Sequence, residues 1–512
     1  MIGGGISGLA AAHRITELLP DAELALFEAS DRLGGVLDTA NIEGFLVERS
    51  ADNFLTKLPA AVDLCRRLGM VDELLPTDES RRRALVVRGG RLLPIPDGFY
   101  LMSPRKLAPL LASSILTVRG KMRLLGEPLV PRGAHADESV ASFVRRRLGN
   151  EVFERLVQPL VAGIYTADPE KLSMAATMPE FLAQERETGS LLRATLRRRT
   201  TETQRTGHFR RTGHFSGQLT DDVPLTDADS ASGARYGLFA APKNGMISLV
   251  TAIASRLPSG TIHLHAPVTT VEPRADNQWR IGFAPTATHR QSEIGSPQAF
   301  DALIVALPAH AAAELVCSWD GGLAAELSAI EYAGCAVVSL GFAGRQIAQP
   351  LDAFGFVVPQ VENRRIIAAS FASLKFAGRA PADHVLVRAF IGGALQPELA
   401  ELPDAGLRQL ALDELSDLLG IEGQPVMTDI ARWPRSMPQY HVGHLERVAL
   451  IEQLAARHRG LALAGNAYHG VGIPQCIESG EWAAARIAAL YLPPSAHAVE
   501  LDRARAGPGD AR

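Results

Sequence analysis

The sequence predicts an α/β fold, α+β overall, in which a parallel-sheet nucleotide-binding domain is joined to a mixed-sheet domain and a helical domain. Three observations lead to this prediction. A glycine-rich turn opens the chain and runs into an apolar helix, and a strand–loop–helix unit with further glycines lies near its end. Between these two units, short apolar strands alternate with amphipathic helical stretches, as is typical of layered α/β architectures.

The composition is that of a globular protein of several domains. The chain has 512 residues, 46% of them hydrophobic, and a formal net charge of −4, which argues against a nucleic-acid-binding protein. Its four cysteines lie far apart, so we expect neither disulfides nor a metal site and place the protein in the cytoplasm. The sequence contains no apolar run of about 18 residues that would span a membrane.

The N-terminal glycines have the spacing of a dinucleotide-binding turn. Gly3, Gly5 and Gly8 form the pattern G-x-G-x-x-G, and the alanines that follow continue as a helix. Such glycines allow a tight turn and close approach to a pyrophosphate, while the helix N-terminus with Ser7 attracts phosphate oxygens. Glu28 ends the next apolar strand, twenty residues beyond Gly8, where a carboxylate meets a ribose hydroxyl. These features predict a Rossmann-like domain that binds FAD or NAD.

The strand that normally precedes such a turn is short here. A buried strand has about five residues, whereas only Met1 and Ile2 precede Gly3. Losing the rest would remove several buried side chains, each worth about 1.5–3 kcal/mol. We therefore expect the native protein to have more apolar residues upstream, and an extended chain to give more soluble, cofactor-loaded protein.

Two further segments favour a flavin over a nicotinamide. Directly after Glu28 and Ala29, residues 32–36 form a second glycine turn with an arginine beside the pyrophosphate, which NAD-binding domains do not normally need. Near the other end, residues 461–466 read as an apolar strand that leads through a loop into a helix. The N-terminus of that helix, at residues 471–473, would stabilise negative charge on a reduced flavin.

These segments resemble the FAD-binding pattern of the flavin amine oxidase superfamily, and the rest of the chain narrows the resemblance to its protoporphyrinogen oxidase and coproporphyrinogen III oxidase family. The matching segments are residues 48–55, 159–165, 168–173, 354–359, 376–381, 391–393, 437–440, 443–444 and 477–480. The central and C-terminal segments are more specific than the glycine turn, because other amine-oxidase relatives lack this set.

The resemblance implies which residues contact FAD. Those expected to bind the cofactor are Gly3, Gly5, Ser7, Gly8, Glu28, Ala29, Arg32, Gly34, Gly35, Val36, Ser50, Ala51, Asp52, Asn53, Val268, Trp433, Gly465, Val471, Gly472 and Ile473. Residues 50–53 would approach the isoalloxazine ring, and Val268 would meet the adenine. The family usually has Gly-Pro where this chain has Ser50-Ala51, and serine adopts the torsion angles of glycine poorly.

The resemblance also implies the reaction, an oxygen-dependent six-electron oxidation of a porphyrinogen to the porphyrin, with H₂O₂ release, in haem biosynthesis. The substrate is coproporphyrinogen III or protoporphyrinogen IX. Because the cofactor performs the redox step, the protein supplies orientation and shielding, and we assign no catalytic side chain. Substrate-binding candidates are Gly163, Phe354, Val357 and Phe390.

Two alternative functions remain open. An amine oxidase is expected to frame its flavin with two aromatic side chains near the C-terminal motif, where this chain offers Tyr468 alone. The other alternative is a flavin-binding protein without turnover. Reduction of the bound flavin by a porphyrinogen, but not by amines, separates the three functions.

Because the cofactor segments lie at both ends of the chain, we expect a discontinuous FAD-binding domain. It comprises residues 1–56, 236–300 and 432–492, while 57–99 and 301–431 form the substrate-binding domain. Residues 100–199 form a helical, membrane-contacting domain. Residues 200–235, which contain an internal duplication, are expected to be a flexible insertion, and 493–512 a disordered tail.

The expected partners are the porphyrinogen and O₂, with no nucleic acid. We also expect peripheral contact with the inner face of the cell membrane and contact with neighbouring haem-pathway enzymes. Three arginine triplets, at 81–83, 145–147 and 197–199, are either solvated faces or contacts for lipid headgroups or substrate propionates. The sequence does not indicate an oligomeric state.

Overall fold

The computed structural model describes residues 1–104, 106–195, 197, 239–284 and 298–492. It confirms the expected α/β class, with a parallel sheet, a larger mixed sheet and a helical region. The predicted flexible insertion at 200–235 and the predicted disordered tail at 493–512 lie outside the described residues.

A parallel sheet forms the base of the nucleotide-binding part. Its members in spatial order are Ile262–His263, Leu26–Phe27, the single residue Ile2, Leu303–Val305 and Leu461–Leu463. Ile2 pairs with both Phe27 and Val305, so residues 1–3 occupy the position expected for the first strand. The sheet thus extends past residue 300, where the sequence places a domain boundary. The sequence alone does not predict which sheet the apolar residues 303–305 join.

Two helices from opposite ends of the chain pack together on this sheet. They are Ile6–Leu18 and Ile473–Ala488, and their buried residues share one hydrophobic core. The contact is close because Gly480 has no side chain: a Cβ atom there would lie 2.1 Å from the carbonyl oxygen of Ser7. Helices Pro59–Arg67 and Ile247–Ala254 add to the same core.

A mixed sheet of seven strands among the described residues forms the second part. In spatial order the strands are Met427–Pro438, Tyr332–Ala343, His384–Gly392, Ala368–Phe371, Gly355–Val357, Leu85–Arg88 and Arg91–Pro94. Helix Asp404–Leu419 covers one face, where its leucines pack against alternate strand residues. The opposite face is therefore directed toward the rest of the molecule.

The helical region follows the hairpin Phe99–Tyr100 and Ser103–Pro104. Its helices are Leu107–Ala112, Val118–Leu125, Val140–Leu148, Asn150–Val152, the π-helix Phe153–Val157, Gln158–Tyr165, Met174–Thr177 and Pro179–Thr188. Arg147 and Glu127, both without solvent exposure, form an ion pair inside it. Among the described helices of the whole chain, none combines the length and the apolar character that crossing a bilayer requires.

The remaining elements connect these parts. The other strands are Thr39–Ile42, Phe45–Glu48, Phe54–Leu55, Leu74–Pro76, Phe239–Pro242, Val268–Pro273, Trp279–Phe283 and Gln298–Phe300. The other helices are Ala309–Val316, Gly321–Ser328, Ala372–Lys375 and His444–Ala455, with 3₁₀ turns at Val71–Glu73, Glu79–Arg81, Glu127–Leu129, Gly344–Gln346, Gln360–Glu362 and Pro397–Glu401.

Candidate cofactor and substrate site

The three glycines of the N-terminal turn have different surroundings. A Cβ atom at Gly3 would lie 2.4 Å from the carbonyl oxygen of Ala306, and one at Gly8 would lie 2.0 Å from that of Gly3. At Gly5, by contrast, a Cβ atom would meet no atom within 4 Å. Gly5 is also the N-cap of helix Ile6–Leu18 and has no side-chain cap. Open space therefore lies beside uncapped backbone N–H groups, as a pyrophosphate requires.

Glu28 is held at the edge of this turn. One carboxylate oxygen accepts a hydrogen bond from the backbone N–H of Gly4 at 2.8 Å, and the other accepts from the N–H and hydroxyl of Ser30. The N–H of Ala266 donates to the backbone carbonyl of Glu28 at 2.8 Å. That bond brings Val268, two residues further on, into the neighbourhood of Glu28 and the exposed Ala29.

The second glycine turn packs directly on the first. The N–H of Gly34 donates to the carbonyl of Gly4, and a Cβ atom at Gly35 would lie 3.2 Å from the Cα of Gly5. The Arg32 guanidinium donates to three carbonyls of its own turn, including that of Gly35 at 2.7 Å. Arg32 therefore shapes the turn, and the neighbouring Val36 is left 41% exposed.

The C-terminal helix begins beside the N-terminal one. Gly472 is its N-cap, again without a side-chain cap, and Pro474 lies in its first turn. Gly480 of this helix packs on the carbonyl oxygen of Ser7, in the first turn of helix Ile6–Leu18, so the two helices run together close to where both begin. Two helix N-termini therefore face the same region, which favours an anionic ligand.

Tyr440 fixes the loop before that helix. Its hydroxyl donates to the carbonyl of Asn466 at 2.5 Å and accepts from the N–H of Gly470 at 2.9 Å. Burial raises the pKa of Tyr440 well above its usual value, so the hydroxyl keeps the proton that it donates. At the start of the loop, the N–H of Gly465 donates to the Ser479 hydroxyl at 3.0 Å.

The segment from Ser50 to Asn53 lies against the open face of the mixed sheet. The Trp433 indole N–H donates to the carbonyl of Arg49 at 2.7 Å, which joins two regions that the sequence assigned to the flavin. Asp52 is buried, which disfavours its charge, but the adjacent Lys375 and Arg388 outweigh burial and lower its pKa. The structure thus brings the candidates together in two groups, one around the glycine turns and one where residues 50–53 meet Trp433.

These residues fit FAD. The open space at Gly5 would take the pyrophosphate, the end with Glu28 and Val268 would take the ribose and adenine, and the region from Ser50 to Trp433 would take the flat ring. The uncapped helix N-termini supply donors for both ends of such a ligand.

The structure also brings three of the four substrate candidates together. Val357, Ala368 and Phe390 are directly opposite one another on neighbouring strands, so their side chains share one face of the mixed sheet. A Cβ atom at Gly163 would lie 3.5 Å from a methyl group of Val357, so helix Gln158–Tyr165 passes over this row. Phe354 lies just before the strand, with its side chain only 2% exposed.

Sequence reasoning missed Lys375, Arg388 and Tyr440. Arg388 interrupts the apolar run from 385 to 391, and a charge inside a buried strand is a signal that would have identified it. Lys375 and Tyr440 give no comparable signal, because their partners lie far away in the chain.

Taken together, two glycine turns, a held acid and two converging helix N-termini define a flavin-dependent oxidoreductase. Residues 6–488 match the family described as flavin containing amine oxidoreductase, and the chain belongs to that family. It is an FAD-dependent oxidase.

Within this family the chain is similar to porphyrinogen oxidases, as the sequence motifs suggested. It is 31% identical to coproporphyrinogen III oxidase of Bacillus subtilis (strain 168), over 96% of this chain and 98% of that protein. It is 33% identical to coproporphyrinogen III oxidase of Propionibacterium freudenreichii subsp. freudenreichii, over 97% and 92%. It is 28% identical to protoporphyrinogen oxidase 2 of Arabidopsis thaliana, over 94% and 91%.

Solved structures with the same fold support this similarity. A protein of Exiguobacterium sp. 255-15, described as a candidate protoporphyrinogen oxidase, superposes with a TM-score of 0.78 at 27% identity over 98% of both chains. Reduced UDP-galactopyranose mutase superposes with a TM-score of 0.68 at 16% identity, over 98% of this chain and 97% of the other, which shows the shared fold alone.

Proposed function

We propose that the chain catalyses the oxygen-dependent six-electron oxidation of a porphyrinogen to the porphyrin in haem biosynthesis. The observation that carries this proposal is the row Val357, Ala368 and Phe390 with Gly163 above it, on the sheet face that also holds the cofactor segment. A broad apolar strip with little side-chain bulk suits a flat macrocycle. The curated relatives at 31% and 33% identity, named coproporphyrinogen III oxidases, support coproporphyrinogen III as the substrate.

When bound, FAD would supply the redox chemistry, namely acceptance of hydride equivalents from the substrate, with O₂ as the final acceptor and H₂O₂ as its product. The chain's own residues have other tasks. Glu28 and the glycine turns hold the nucleotide, while Tyr440 fixes the loop that precedes the second helix N-terminus. Phe390 and Val357 exclude water from the strip on which the macrocycle would lie, and Gly163 leaves room for it.

The buried position of Tyr468 argues against an amine oxidase. Its side chain is only 3% exposed and packs in the core below the parallel sheet, so it does not frame a flavin. No described residue favours a flavin carrier without turnover, and the experiment below includes that outcome.

The proposal is tested by mixing FAD-loaded protein anaerobically with coproporphyrinogen III, protoporphyrinogen IX or a primary amine. We expect rapid bleaching of the flavin absorbance with coproporphyrinogen III, and on admission of air both porphyrin fluorescence and H₂O₂. Faster bleaching by protoporphyrinogen IX would identify that compound, and not coproporphyrinogen III, as the substrate. Bleaching by the amine alone, or by none of the three, would overturn the proposal.

We further propose that the protein is cytoplasmic and contacts an anionic membrane surface through an apolar stripe on the helical region. The stripe consists of Val118, Met122, Leu125 and Leu129, which are 77%, 65%, 42% and 86% exposed. It lies opposite the buried Leu124. Such a stripe, with Arg119 and Lys121 in the same helix, suits the boundary between headgroups and acyl chains.

Side-chain pairing weakens the lipid or propionate alternative for the arginine triplets, because six of their described members form ion pairs with carboxylates. Those pairs are Arg81 with Asp78, Arg82 with Glu79, Arg83 with Asp352, Arg145 with Glu170, Arg146 with Glu185 and Arg147 with Glu127. Residues 198 and 199 of the third triplet lie outside the described part of the chain.

Vesicle sedimentation tests the membrane proposal. We expect the protein to sediment with vesicles that contain anionic lipid, and the double variant Met122→Glu/Leu129→Glu to stay in the supernatant. Val426→Glu, at a residue 49% exposed in the mixed-sheet part, is the matched control and should sediment normally. Equal sedimentation of all three proteins would overturn the proposal, and pelleting only with an added haem-pathway enzyme would favour that partner instead.

A further inference from the structure

A buried charge cluster lies where the cofactor segment meets the mixed sheet. It consists of Glu48, Asp52, Lys375, Arg379 and Arg388, each less than 10% exposed. The Lys375 ammonium lies 3.0 Å from an oxygen of Asp52, and the Arg388 guanidinium lies 3.3 Å from the same oxygen. Arg379 donates to the backbone carbonyls of Pro242 and Lys243.

The cluster has more positive than negative charge. In the described part of the chain, its three cations face two carboxylates. Glu48 carries at most one negative charge, and burial, which raises its pKa, disfavours that charge. The excess of positive charge in the cluster is therefore at least one. The adjacent Arg49 does not alter this balance, because Arg32 and Arg49 are matched by two further carboxylates, Asp38 and Asp429.

Arg388 also has unused hydrogen-bonding capacity. Its guanidinium donates to the backbone carbonyl of Ser50, but its Nε has no hydrogen-bond partner among the described residues. The hydroxyls of Ser50 and Ser370 are likewise buried without a partner there, and Ser370 is directly opposite Arg388 on the next strand. The guanidinium carbon lies 5.3 Å from the ring centre of Phe390, a substrate candidate.

A buried cation whose charge is not matched is costly, and a chain retains one most readily where a ligand brings the opposite charge. We propose that the buried charge cluster accommodates one negative charge supplied by the occupied site, with Arg388 as the donor that contacts it. Two sources carry this chemistry. One is the isoalloxazine ring after reduction, and the other is a carboxylate of the substrate, which rests on the porphyrinogen oxidation proposed above.

The test uses FAD-loaded protein and four variants. Arg388→Gln removes the positive charge, Arg388→Lys keeps it, and Asp52→Asn makes the cluster more positive. Arg432→Gln is the matched control, because Arg432 lies on the covered face of the same sheet and pairs with Asp404. Two quantities are measured: the midpoint potential of bound FAD without substrate, and the dissociation constants of coproporphyrin III and its tetramethyl ester.

If the flavin is the source, Arg388→Gln lowers the midpoint potential, Asp52→Asn raises it, and the other two variants match the wild type. If a carboxylate is the source, the potentials are equal, and Arg388→Gln weakens binding of coproporphyrin III about tenfold, as one lost charge contact does, without affecting the ester. Equal potentials together with equal ratios of acid to ester binding would overturn the proposal.

Asp52→Asn tests the proposal even if Arg388→Gln does not fold, because its effects have the opposite sign: a higher midpoint potential or tighter binding of the acid. General damage to the protein would produce neither effect. A wild-type potential in Asp52→Asn, with unchanged acid binding, would equally reject the proposal. The potentials are measured without substrate, so their outcome is independent of whether the protein oxidises porphyrinogens.

Discussion

Gly5 and Gly8 lie in one turn but serve different purposes. An alanine at Gly8 would collide with the carbonyl of Gly3, whereas an alanine at Gly5 would extend into open space with permitted torsion angles (φ −71°, ψ 176°). We expect Gly8→Ala to lower the melting temperature of the apoprotein and to abolish FAD binding. Gly5→Ala should abolish FAD binding and leave the apoprotein melting temperature unchanged.

Differential scanning fluorimetry of the apoproteins and the absorbance of bound flavin after reconstitution measure the two effects. Normal FAD content in Gly5→Ala would mean that the pyrophosphate does not lie in this space. An unfolded Gly5→Ala apoprotein would mean that the glycine is needed for the turn itself.

His444 makes stability depend on pH. Its ring stacks on that of Tyr440 at 3.9 Å, and burial lowers its pKa from 6.5 to about 4. The unfolded chain therefore takes up a proton near pH 6.5 that the folded chain refuses until about pH 4, so stability falls as the pH falls across this window. Between pH 7.5 and 5, the wild type should lose about 2 kcal/mol more unfolding free energy than His444→Gln.

Urea unfolding of both proteins at the two pH values measures this difference. Contributions from groups that the two proteins share cancel in the comparison. Parallel losses in wild type and variant would show that His444 is protonated in the folded chain.

Among single residues, the sequence predicted those whose roles follow from a fixed spacing along the chain, and few others. Gly3, Gly8 and Glu28 are assigned by their separations in the chain, and the structure gives each a contact that explains its residue type. The pairing of Asp52 with Lys375 joins residues 323 positions apart. No local pattern contains that information, because the pairing depends on how the mixed sheet is placed.

Among the elements, the loop from Gly465 to Gly470 is contacted at two of its residues, Asn466 and Gly470, by the hydroxyl group of Tyr440. Tyr440→Phe removes the bonds to Asn466 and Gly470 together and leaves the ring in place. Because each hydrogen bond contributes about 0.5–1.5 kcal/mol, we expect FAD binding to weaken by roughly tenfold. Isothermal titration of apoprotein with FAD measures the change.

Tyr491→Phe is the matched control, since its hydroxyl donates to the carbonyl of Asp301 at 3.1 Å outside this loop. Its affinity for FAD should equal that of the wild type. If both variants bind FAD equally well, the loop is positioned by other contacts.

The mixed sheet shows where prediction at the level of elements ended. Its short apolar strands were expected from the sequence. The register of the strands was not predicted. It is the register that puts Val357, Ala368 and Phe390 on one face of the sheet and Phe356 on the covered face. A shift of one residue exchanges the two faces, and alternating hydrophobicity is weak in strands that are buried on both sides.

At the scale of the whole molecule, the ion pair of Arg49 with Asp429 joins the N-terminal segment to the mixed sheet, alongside the contact of Asp52 with Arg388. Two nitrogens of Arg49 contact Asp429, from 2.7 to 3.3 Å, across 380 residues of chain. Asp429→Asn keeps the shape and removes the charge. We expect a loss of about 1–2 kcal/mol in unfolding free energy, together with weaker FAD binding because Ser50 follows directly.

Urea unfolding and FAD titration measure both effects. Asp404→Asn is the control, since Asp404 is 71% exposed in its pair with Arg432 and exposed pairs contribute little. Similar losses of unfolding free energy and of FAD affinity in the two variants would show that Arg49 does not connect the N-terminal segment to the mixed sheet.

The parallel sheet has a consequence for how the protein is made. Ile2 and Leu26–Phe27 leave the ribosome early, but Leu461–Leu463 and the helix that packs on Ser7 leave it more than 400 residues later. Arg67 and its partner Glu481 are 414 residues apart, so at about 5–20 residues per second the first half of the pocket waits roughly 20 to 80 seconds for the second. During that interval Ile2 and Leu26–Phe27 can pair with the strands at 262–263 and 303–305, but the last strand of the sheet and the second helix N-terminus are still missing. Both helix N-termini that would hold FAD are therefore in place only after residues 461–488 have been made, so cofactor loading follows synthesis of the second helix.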